Sequence, residues 1–481
     1  METNGGSAAS FSPSCVNLLT ESAPRVLLFI CLLSAVWPSA VSASSFRILD
    51  QGAGAAGQSN AFTAQADDPS AIYYNPAGMM QLRGVQTYFG TTLLGGSTSF
   101  RNAAGQTARG DFNGSIAYPP PSNIYITGNL QDLGVSAPVL RNMAVGVGLT
   151  FPFGTLYRWP NNGPFSTATT GAALQLLNIK PTVAYKFNDR LSVGLGLDIY
   201  TFSNLIGEGQ YEQRLISSGG PGLPPAGTPL EINGKDTALG FNTSFLYTPL
   251  LNGDGKPLAN IGMVYRSQAT LHLNGDFLAG GTSLSQASTT LVLPQVLTGG
   301  IAIWPVRDHD RDWKLEVDVD YTGWKSIRNL DVHLSPALGT IPFPQNYRSG
   351  YTIMVGTEYK WLHPEVLPNW EIALRAGYWH SQSPTPDAAF NPSVPDADNH
   401  SISVGLGLLC KEGGRFLGLF ECAGSENKFL RAVGLDVAYK ALLYETRTVS
   451  GNANPVAIPG SVNGRYQTTY HVGSVNLRVN F

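Results

Sequence analysis

The end of the chain, residues 470–481, alternates between apolar and polar side chains. The two sides are Gly473, Val475, Leu477, Val479 and Phe481 against Ser474, Asn476, Arg478 and Asn480. A period of two predicts a β-strand whose two faces meet different surroundings. A half-buried soluble strand gives the same pattern, but a strand closed by a terminal aromatic residue is typical of the last strand of an outer-membrane barrel.

Similar alternation recurs along the chain and predicts fourteen strands. They are Gly84–Phe100, Asn123–Leu130, Arg141–Phe151, Leu174–Phe187, Leu191–Phe202, Thr237–Tyr247, Ala259–Leu273, Val296–Pro305, Trp313–Trp324, Arg348–Lys360, Trp370–Trp379, Ser401–Cys410, Phe429–Tyr444 and Tyr470–Phe481. Short connections such as 188–190 alternate with long ones such as 203–236, as in barrels with periplasmic turns and extracellular loops. Connection 411–428 is the exception, because it is long for a periplasmic turn.

The two faces of the strands indicate what the wall separates. Leu315, Val317 and Val319 share one side of a strand, opposite Glu316 and Asp318. A soluble sandwich would turn the apolar side inward, whereas a membrane barrel turns it towards lipid and keeps a polar interior. We therefore predict an all-β fold, a transmembrane antiparallel barrel of about 14 strands over residues 84–481, in the outer membrane.

The start of the chain has the plan of a secretory signal. Arg25 precedes an apolar run, 26–37, and small residues follow up to Ala43. The run is shorter than the roughly 20 residues of a spanning helix, so we predict a signal peptide over 1–43 with a polar leader and cleavage after Ala43. An exported barrel implies the barrel-assembly machinery, membrane lipid and lipopolysaccharide as partners, and we expect a monomer.

Residues 44–83 do not alternate and predict short helices and turns. A lumen of this circumference would pass small solutes unless it were filled, so we expect this segment to form a helical or irregular hatch that plugs it. A disordered periplasmic tail is the alternative, although the composition is not a polar, low-complexity one. The match of 52–57 to GxGxxG lacks the preceding strand that a dinucleotide loop requires.

The segment Ala66–Gly78, ADDPSAIYYNPAG, resembles the hatch motif of the FadL/TodX (OMPP1-type) family of outer-membrane transporters. The resemblance continues through residues 152–154, 293–295, 318–324, 383–387 and 395–398. It implies passive uptake of long-chain fatty acids or aromatic and aliphatic hydrocarbons, with capture at the outer loops, hatch rearrangement and lateral exit.

The same resemblance assigns individual residues. Asn75, Pro76 and Ala77 match the hatch motif, and Phe46 is a candidate for the substrate pocket. In the family the third strand is kinked inward, which opens a lateral gap. Here that strand carries Gly146, Gly148 and Pro152, residues that permit a bulge or interrupt pairing.

Two outer loops contain apolar residues that form a candidate substrate-binding groove. They are Leu205, Ile206, Leu215, Ile216 and Leu223 in one loop and Phe277, Leu278 and Leu284 in the next. Each methylene buried in such a groove contributes about 0.8 kcal/mol, so a hydrophobic compound can be captured by burial alone. A fatty acid would need a cationic partner, for which Lys325, Arg328 and Arg375 are candidates.

Other chemistry is sparse. A net charge of -3 gives no field for nucleic acid. Residues 308–312 resemble metal ligands, but a solvated run of charges in a turn is the better interpretation. The sequence contains no GxSxG, HExxH or phosphate-loop motif. We predict no metal, no cofactor and no catalysis. A porin for polar solutes and an outer-membrane lipid hydrolase remain the alternative functions.

Cys410 and Cys422 are the two cysteines that follow the predicted signal peptide. An even count in an oxidising compartment favours a disulfide that closes the long turn between them. Two unpaired thiols are the alternative.

Overall fold

The computed structural model describes residues 45–220, 223–335, 338–416, 418, 420–423 and 430–481. The predicted signal peptide, 1–43, and its cleavage point after Ala43 lie outside the described residues.

Fourteen antiparallel strands form a closed barrel. They are β1 Val85–Arg101, β2 Ser122–Asn129, β3 Met143–Arg158, β4 Gly171–Asn188, β5 Leu191–Thr201, β6 Ala238–Leu251, β7 Pro257–Arg266, β8 Val296–Arg307, β9 Arg311–Thr322, β10 Gly350–Trp361, β11 Trp370–Ser381, β12 Asn399–Cys410, β13 Ala432–Tyr444 and β14 Gly464–Asn480. Each strand pairs with the next, and β14 pairs with β1 from Gln86–Asn480 to Arg101–Arg465, which closes the ring. The predicted fold class is therefore confirmed.

Further strands lie in the long connections at one rim. They are Thr107–Ile116, Tyr211–Ile216, Pro229–Gly234, Ala269–Ala279, Thr282–Leu293, Val332–Leu334, Thr340–Ile341 and Arg447–Val449. We call these connections the outer loops, since barrels of this class carry their long loops outside the cell. The predicted strand Ala259–Leu273 is in fact two elements, because the wall strand ends at Arg266 and the chain continues into an outer hairpin.

The wall is apolar outside and polar inside. On β9, Val319 is 42% exposed on the outer face, whereas Lys314, Glu316 and Asp318 are buried in the lumen. This alternation continues around the ring because each strand separates lipid from a polar interior. Among the described residues, no helix is both long enough and apolar enough to cross a membrane.

The lumen is occupied by residues 45–83, which we call the hatch. Its regular elements are two one-turn helices, Ala53–Ala56 and Ala71–Tyr74, and a 3-10 segment, Pro76–Gln81. Backbone amides outside these elements need other acceptors. Asp318 accepts the N–H groups of Phe62 and Thr63 at 3.0 and 2.8 Å. The charged lumen face of the barrel thus holds an irregular chain in place.

At the opposite rim, Cys410 and Cys422 form a disulfide with a Cα–Cα distance of 5.7 Å. It joins the end of β12 to a short hairpin formed by Arg415–Phe416 and Phe420–Glu421. The long turn between β12 and β13 is thereby tied to the barrel wall.

Candidate functional site

Strand β3 leaves part of one edge without a wall partner. It pairs with β2 only from Ala144 to Leu149, and the next pairing on that side is between Arg158 and Asp111 of the first outer loop. On its other side β3 pairs with β4 but shifts register between Thr150 and Phe153. Residues 150–157 therefore border a gap in the wall, with Pro152 at the register shift.

The two glycines of β3 serve a different purpose from a bend. A Cβ on Gly146 would lie 2.8 Å from Ile72, and one on Gly148 would lie 2.9 Å from the same side chain. Both distances are shorter than van der Waals contact. Glycine at these positions lets the helix Ala71–Tyr74 of the hatch pack directly against β3.

The first segment of the hatch takes the place of the missing neighbour strand. The Ile48 N–H donates to the Pro152 carbonyl at 2.9 Å, and the Gly154 N–H donates to the Phe46 carbonyl at 2.8 Å. The Gln51 side chain bonds both the N–H and the carbonyl of Phe151, at 3.1 and 3.0 Å. Backbone groups that the gap would leave unpaired are satisfied by residues 46–51.

An inner cavity of about 140 Å³ adjoins this gap. Its lining combines the hatch segment 45–50 with residues on both sides of the gap, including Phe112, Pro119, Pro120, Pro121, Phe151, Phe153, Leu156 and Tyr157. Trp379, Leu442 and Val472 contribute apolar surface from the wall. The cavity is therefore a mainly apolar space beside the part of β3 that has no neighbouring wall strand.

A larger outer cavity of about 570 Å³ lies among the outer loops. Its apolar lining includes Leu215, Ile216, Leu223, Leu230, Phe277, Leu291, Val332, Ile341 and Phe343. Its polar lining consists of neutral groups such as Gln213, Ser393 and Gln345. No charged side chain among the described residues lines it. Volume and lining are those of a site for an apolar small molecule.

Phe46 lines both cavities. Its ring centroid lies 5.0 Å from that of Trp324 and 6.0 Å from that of Phe153. Phe46 also belongs to the segment that is hydrogen-bonded to β3. Its side chain therefore lies where the two cavities and the wall gap meet.

The predicted substrate residues divide between three environments. Phe46, Leu215, Ile216, Leu223 and Phe277 line the outer cavity, and Ile206 lines the inner one. Leu205, Leu278 and Leu284 line neither, and Leu205 is 95% exposed. Leu230, Val332 and Phe343 were missed because they come from short loop segments that carry no pattern of their own.

The hatch motif lies against β5 and β6. The Asn75 side chain donates to the carbonyls of Thr63 and Phe245 at 2.8 and 3.1 Å, and accepts the Ala77 N–H at 3.1 Å. Pro76 packs on Gly194, where a Cβ would lie 2.5 Å from the proline ring. These three residues anchor the hatch and line neither cavity.

The predicted cationic partners do not reach the cavities. Lys325 and Arg328 are exposed and line neither cavity. Arg375 lies in the lumen between Glu358 and Asp436, at 2.6 and 2.5 Å. Both carboxylates belong to the wall, on β10 and β13, so Arg375 is committed to ion pairs within the barrel.

Within the described ranges, no three His, Cys, Asp or Glu side chains are grouped so as to hold a metal. In the charge run 308–312, Asp308 accepts the N–H groups of Asp310 and Arg311 at 2.9 and 2.8 Å. The Asp310 N–H is the main cause that lowers the pKa of Asp308. The run is an exposed, self-bonded turn.

The match to known families agrees with this architecture. Residues 34–413 match the model of the outer membrane protein transport protein family (OMPP1/FadL/TodX). The chain belongs to this family. The predicted resemblance and the outer-membrane location are thus confirmed.

Members of the OMPP1/FadL/TodX family are similar to this chain in sequence and in fold. A long-chain fatty acid transport protein of Escherichia coli O6:H1 (strain CFT073) is 24% identical over 423 residues, covering 81% of this chain and 87% of the relative. One from Salmonella typhi is 23% identical over 312 residues, covering 59% and 67%.

Among solved structures, a Pseudomonas aeruginosa FadL homologue matches with a TM-score of 0.67 and 18% identity, over 91% of this chain and 100% of that one. The Pseudomonas putida toluene transporter TodX matches with a TM-score of 0.60 and 13% identity, over 91% and 100%. At these sequence identities the structural similarity is evidence for the fold alone.

Proposed function

We propose that the protein takes up hydrophobic compounds passively across the outer membrane. The compound enters the outer cavity, passes Phe46 into the inner cavity, and leaves sideways through the gap beside β3. The observation that carries this proposal is the position of Phe46, which lines both cavities and lies on the hatch segment bonded to β3. Its relatives' names, fatty acid transport protein and toluene transporter, agree with an apolar cargo.

Capture requires no energy source. Apolar side chains from several outer loops converge on the outer cavity, and burial of each methylene of a ligand contributes about 0.8 kcal/mol. An open cavity lined by apolar side chains at the cell surface is a typical small-molecule site.

Lateral exit follows from where the inner cavity lies. Its lining includes Pro119–Pro121 on one side of the gap and Thr155–Tyr157 on the other. An apolar molecule that moves through this gap stays out of water, whereas one released into the periplasm would lose the energy gained on capture. The segment 45–50 lines the same cavity, so its movement is the step that opens the path.

Locking that segment tests the mechanism. Arg47 and Phe153 form an isolated antiparallel bridge flanked by hydrogen bonds of their neighbours. Such a non-hydrogen-bonded pair has a Cα–Cα distance of about 4.5 Å, which suits a disulfide. Arg47→Cys/Phe153→Cys should lose uptake of a labelled hydrocarbon when oxidised and regain it when reduced.

The controls are each single-cysteine variant and the wild type, with and without reductant. They are needed because the chain has a second disulfide, Cys410–Cys422. Uptake that is the same in the oxidised and reduced double variant contradicts hatch movement. Swelling of proteoliposomes in sugar solutions would indicate a porin instead, and ester hydrolysis by the purified protein would indicate a lipid hydrolase.

The partners expected from export, which are lipopolysaccharide and the barrel-assembly machinery, and the monomeric state stay predictions. Mild-detergent extraction followed by light scattering tests the last of these.

A further inference from the structure

The charges around the two cavities bear on which hydrophobic compound is carried. An ionised carboxylate taken out of water needs a cationic or hydrogen-bonding partner, because an unpaired buried charge is strongly unfavourable. The cations that line each cavity therefore indicate whether its ligand is a carboxylate or an uncharged compound.

The outer cavity offers none. Its described lining contains no Lys, Arg or His. A carboxylate that entered this cavity would meet only neutral amides and hydroxyls.

Among the described residues that line the inner cavity, Arg47 is the one cation, and it is already neutralised. Its guanidinium donates to both oxygens of Asp320, at 2.6 and 3.0 Å, and to the Thr322 hydroxyl at 2.9 Å. Asp50, a second charged group of the lining, is paired with Lys440 and accepts from Asn60. These two ion pairs leave no net charge.

The third charged group, Asp396, adds a negative charge. Its side chain is buried and lines the inner cavity. One oxygen accepts from the hydroxyls of Ser383 and Thr385, whereas the other has no hydrogen-bond partner among the described atoms. The nearby Arg447 donates to the Asp396 backbone carbonyl and forms its ion pair with Asp387.

We propose, building on the function proposed above, that this protein selects uncharged hydrophobic compounds, such as alkanes, arenes and long-chain alcohols, over fatty-acid anions. A carboxylate in the inner cavity would face the Asp396 oxygen that has no hydrogen-bond partner, and the described lining offers no unpaired cation to offset the repulsion. An uncharged compound meets no such penalty, and a hydroxyl can donate to that oxygen.

Matched ligands test this proposal on the purified full-length protein. Binding of 1-dodecanol and of dodecanoate at pH 8 is followed through tryptophan fluorescence, since Trp379 lines the inner cavity. We expect dodecanol to bind about tenfold or more tightly than dodecanoate, because like charges at a desolvated site repel strongly. Affinities within about threefold would overturn the proposal.

Two variants should change the preference in a predictable direction. Asp396→Asn removes the repelling charge, and Gln345→Lys places an ammonium group in the outer cavity; each should raise dodecanoate affinity relative to dodecanol. Asp398→Asn is the matched control, because Asp398 is a carboxylate of the same loop that lines neither cavity. An unchanged preference in both test variants, or an equal change in the control, contradicts the proposal.

The outcome also separates this inference from the function on which it rests. Equal binding of both ligands overturns the selectivity and leaves uptake of hydrophobic compounds intact. Failure of both ligands to bind the folded wild-type barrel counts against the proposed function itself.

Discussion

Arg47 and Asp320 form a bidentate ion pair inside the lumen, with Nη1–Oδ1 and Nη2–Oδ2 distances of 2.6 and 3.0 Å. Asp320 belongs to β9, whereas the backbone of Arg47 bridges Phe153 on β3. In a ring of fourteen strands these two lie almost opposite each other. The pair therefore holds the first hatch segment between two distant parts of the wall.

Arg47→Ala should loosen this segment without unfolding the barrel. Removing one partner of a buried ion pair leaves the other charge uncompensated, which costs roughly 3–5 kcal/mol. We expect faster amide hydrogen exchange at residues 46–51, where the Ile48 N–H bonds β3, and unchanged exchange in β11 and β12, which are distant in the ring from Asp320. Arg47→Ala/Asp320→Ala should recover part of the loss, and exchange at Ile48 equal to wild type would contradict this role.

Deleting residues 44–60 should turn the barrel into a leaky pore. This segment contains Arg47, Asp50 and the helix Ala53–Ala56, whose first N–H donates to Asn476 at 2.9 Å. Without it, water replaces protein as the partner of the polar lumen groups. We expect continuous conductance in planar bilayers, against a nearly closed wild type.

Retained heat-modifiable mobility of the deletion variant in SDS gels would establish that its barrel is folded. Unchanged conductance of such a folded variant would then count against residues 44–60 as a plug.

The wall could be predicted from sequence because two immiscible surroundings impose a period of two on every strand. Both faces of β9 can therefore be assigned from four residues, Leu315 and Val319 on one side and Glu316 and Asp318 on the other. The same signal failed at Ala259–Leu273, because an outer hairpin continues the alternation beyond the membrane and nothing local marks Arg266 as the end of the wall strand.

The site was predictable only in part. Leu215, Ile216 and Phe277 were found because apolar residues in long outer loops are unusual. Leu230 and Val332 lie in short loop strands whose burial depends on loops far away in sequence. The role of Asp318 as an acceptor for hatch amides also has no sequence signal, because the irregular backbone that it binds depends on the fold.

Burial raises the pKa of Asp396 from 3.8 to about 6, against the opposing effects of Ser383, Arg447 and Thr385. Asp398, Tyr347 and Tyr444 also face this carboxyl. A folded-state pKa above the unfolded value means that the folded loop holds the proton more tightly. The stabilisation is complete below about pH 4 and is lost as the pH rises through 6.

Loop 382–398 should therefore open more readily at pH 7.5 than at pH 4.5, by on the order of 2 kcal/mol. Hydrogen exchange of its amides, corrected for intrinsic rates, measures the difference. Asp396→Asn should remove most of this pH dependence, whereas Asp398→Asn should retain it. A pH dependence that survives Asp396→Asn would assign it to another group.

Filling the outer cavity should impair capture while leaving the barrel and hatch intact. Ala172 lies on β4 with its side chain in the lining, so Ala172→Trp would occupy part of the roughly 570 Å³ space. Uptake of a labelled hydrocarbon should fall most at low external concentration, because the lost binding energy of several methylenes weakens capture by about tenfold or more. At saturating concentration the rates should converge, since the inner path is unaltered.

Leu338→Trp places the same side chain on an outer loop at a position that is 43% exposed and lines neither cavity, so it should retain wild-type uptake. Equal loss in both variants would indicate a general effect on folding or export, and no loss in Ala172→Trp would show that the hydrocarbon reaches Phe46 by another route.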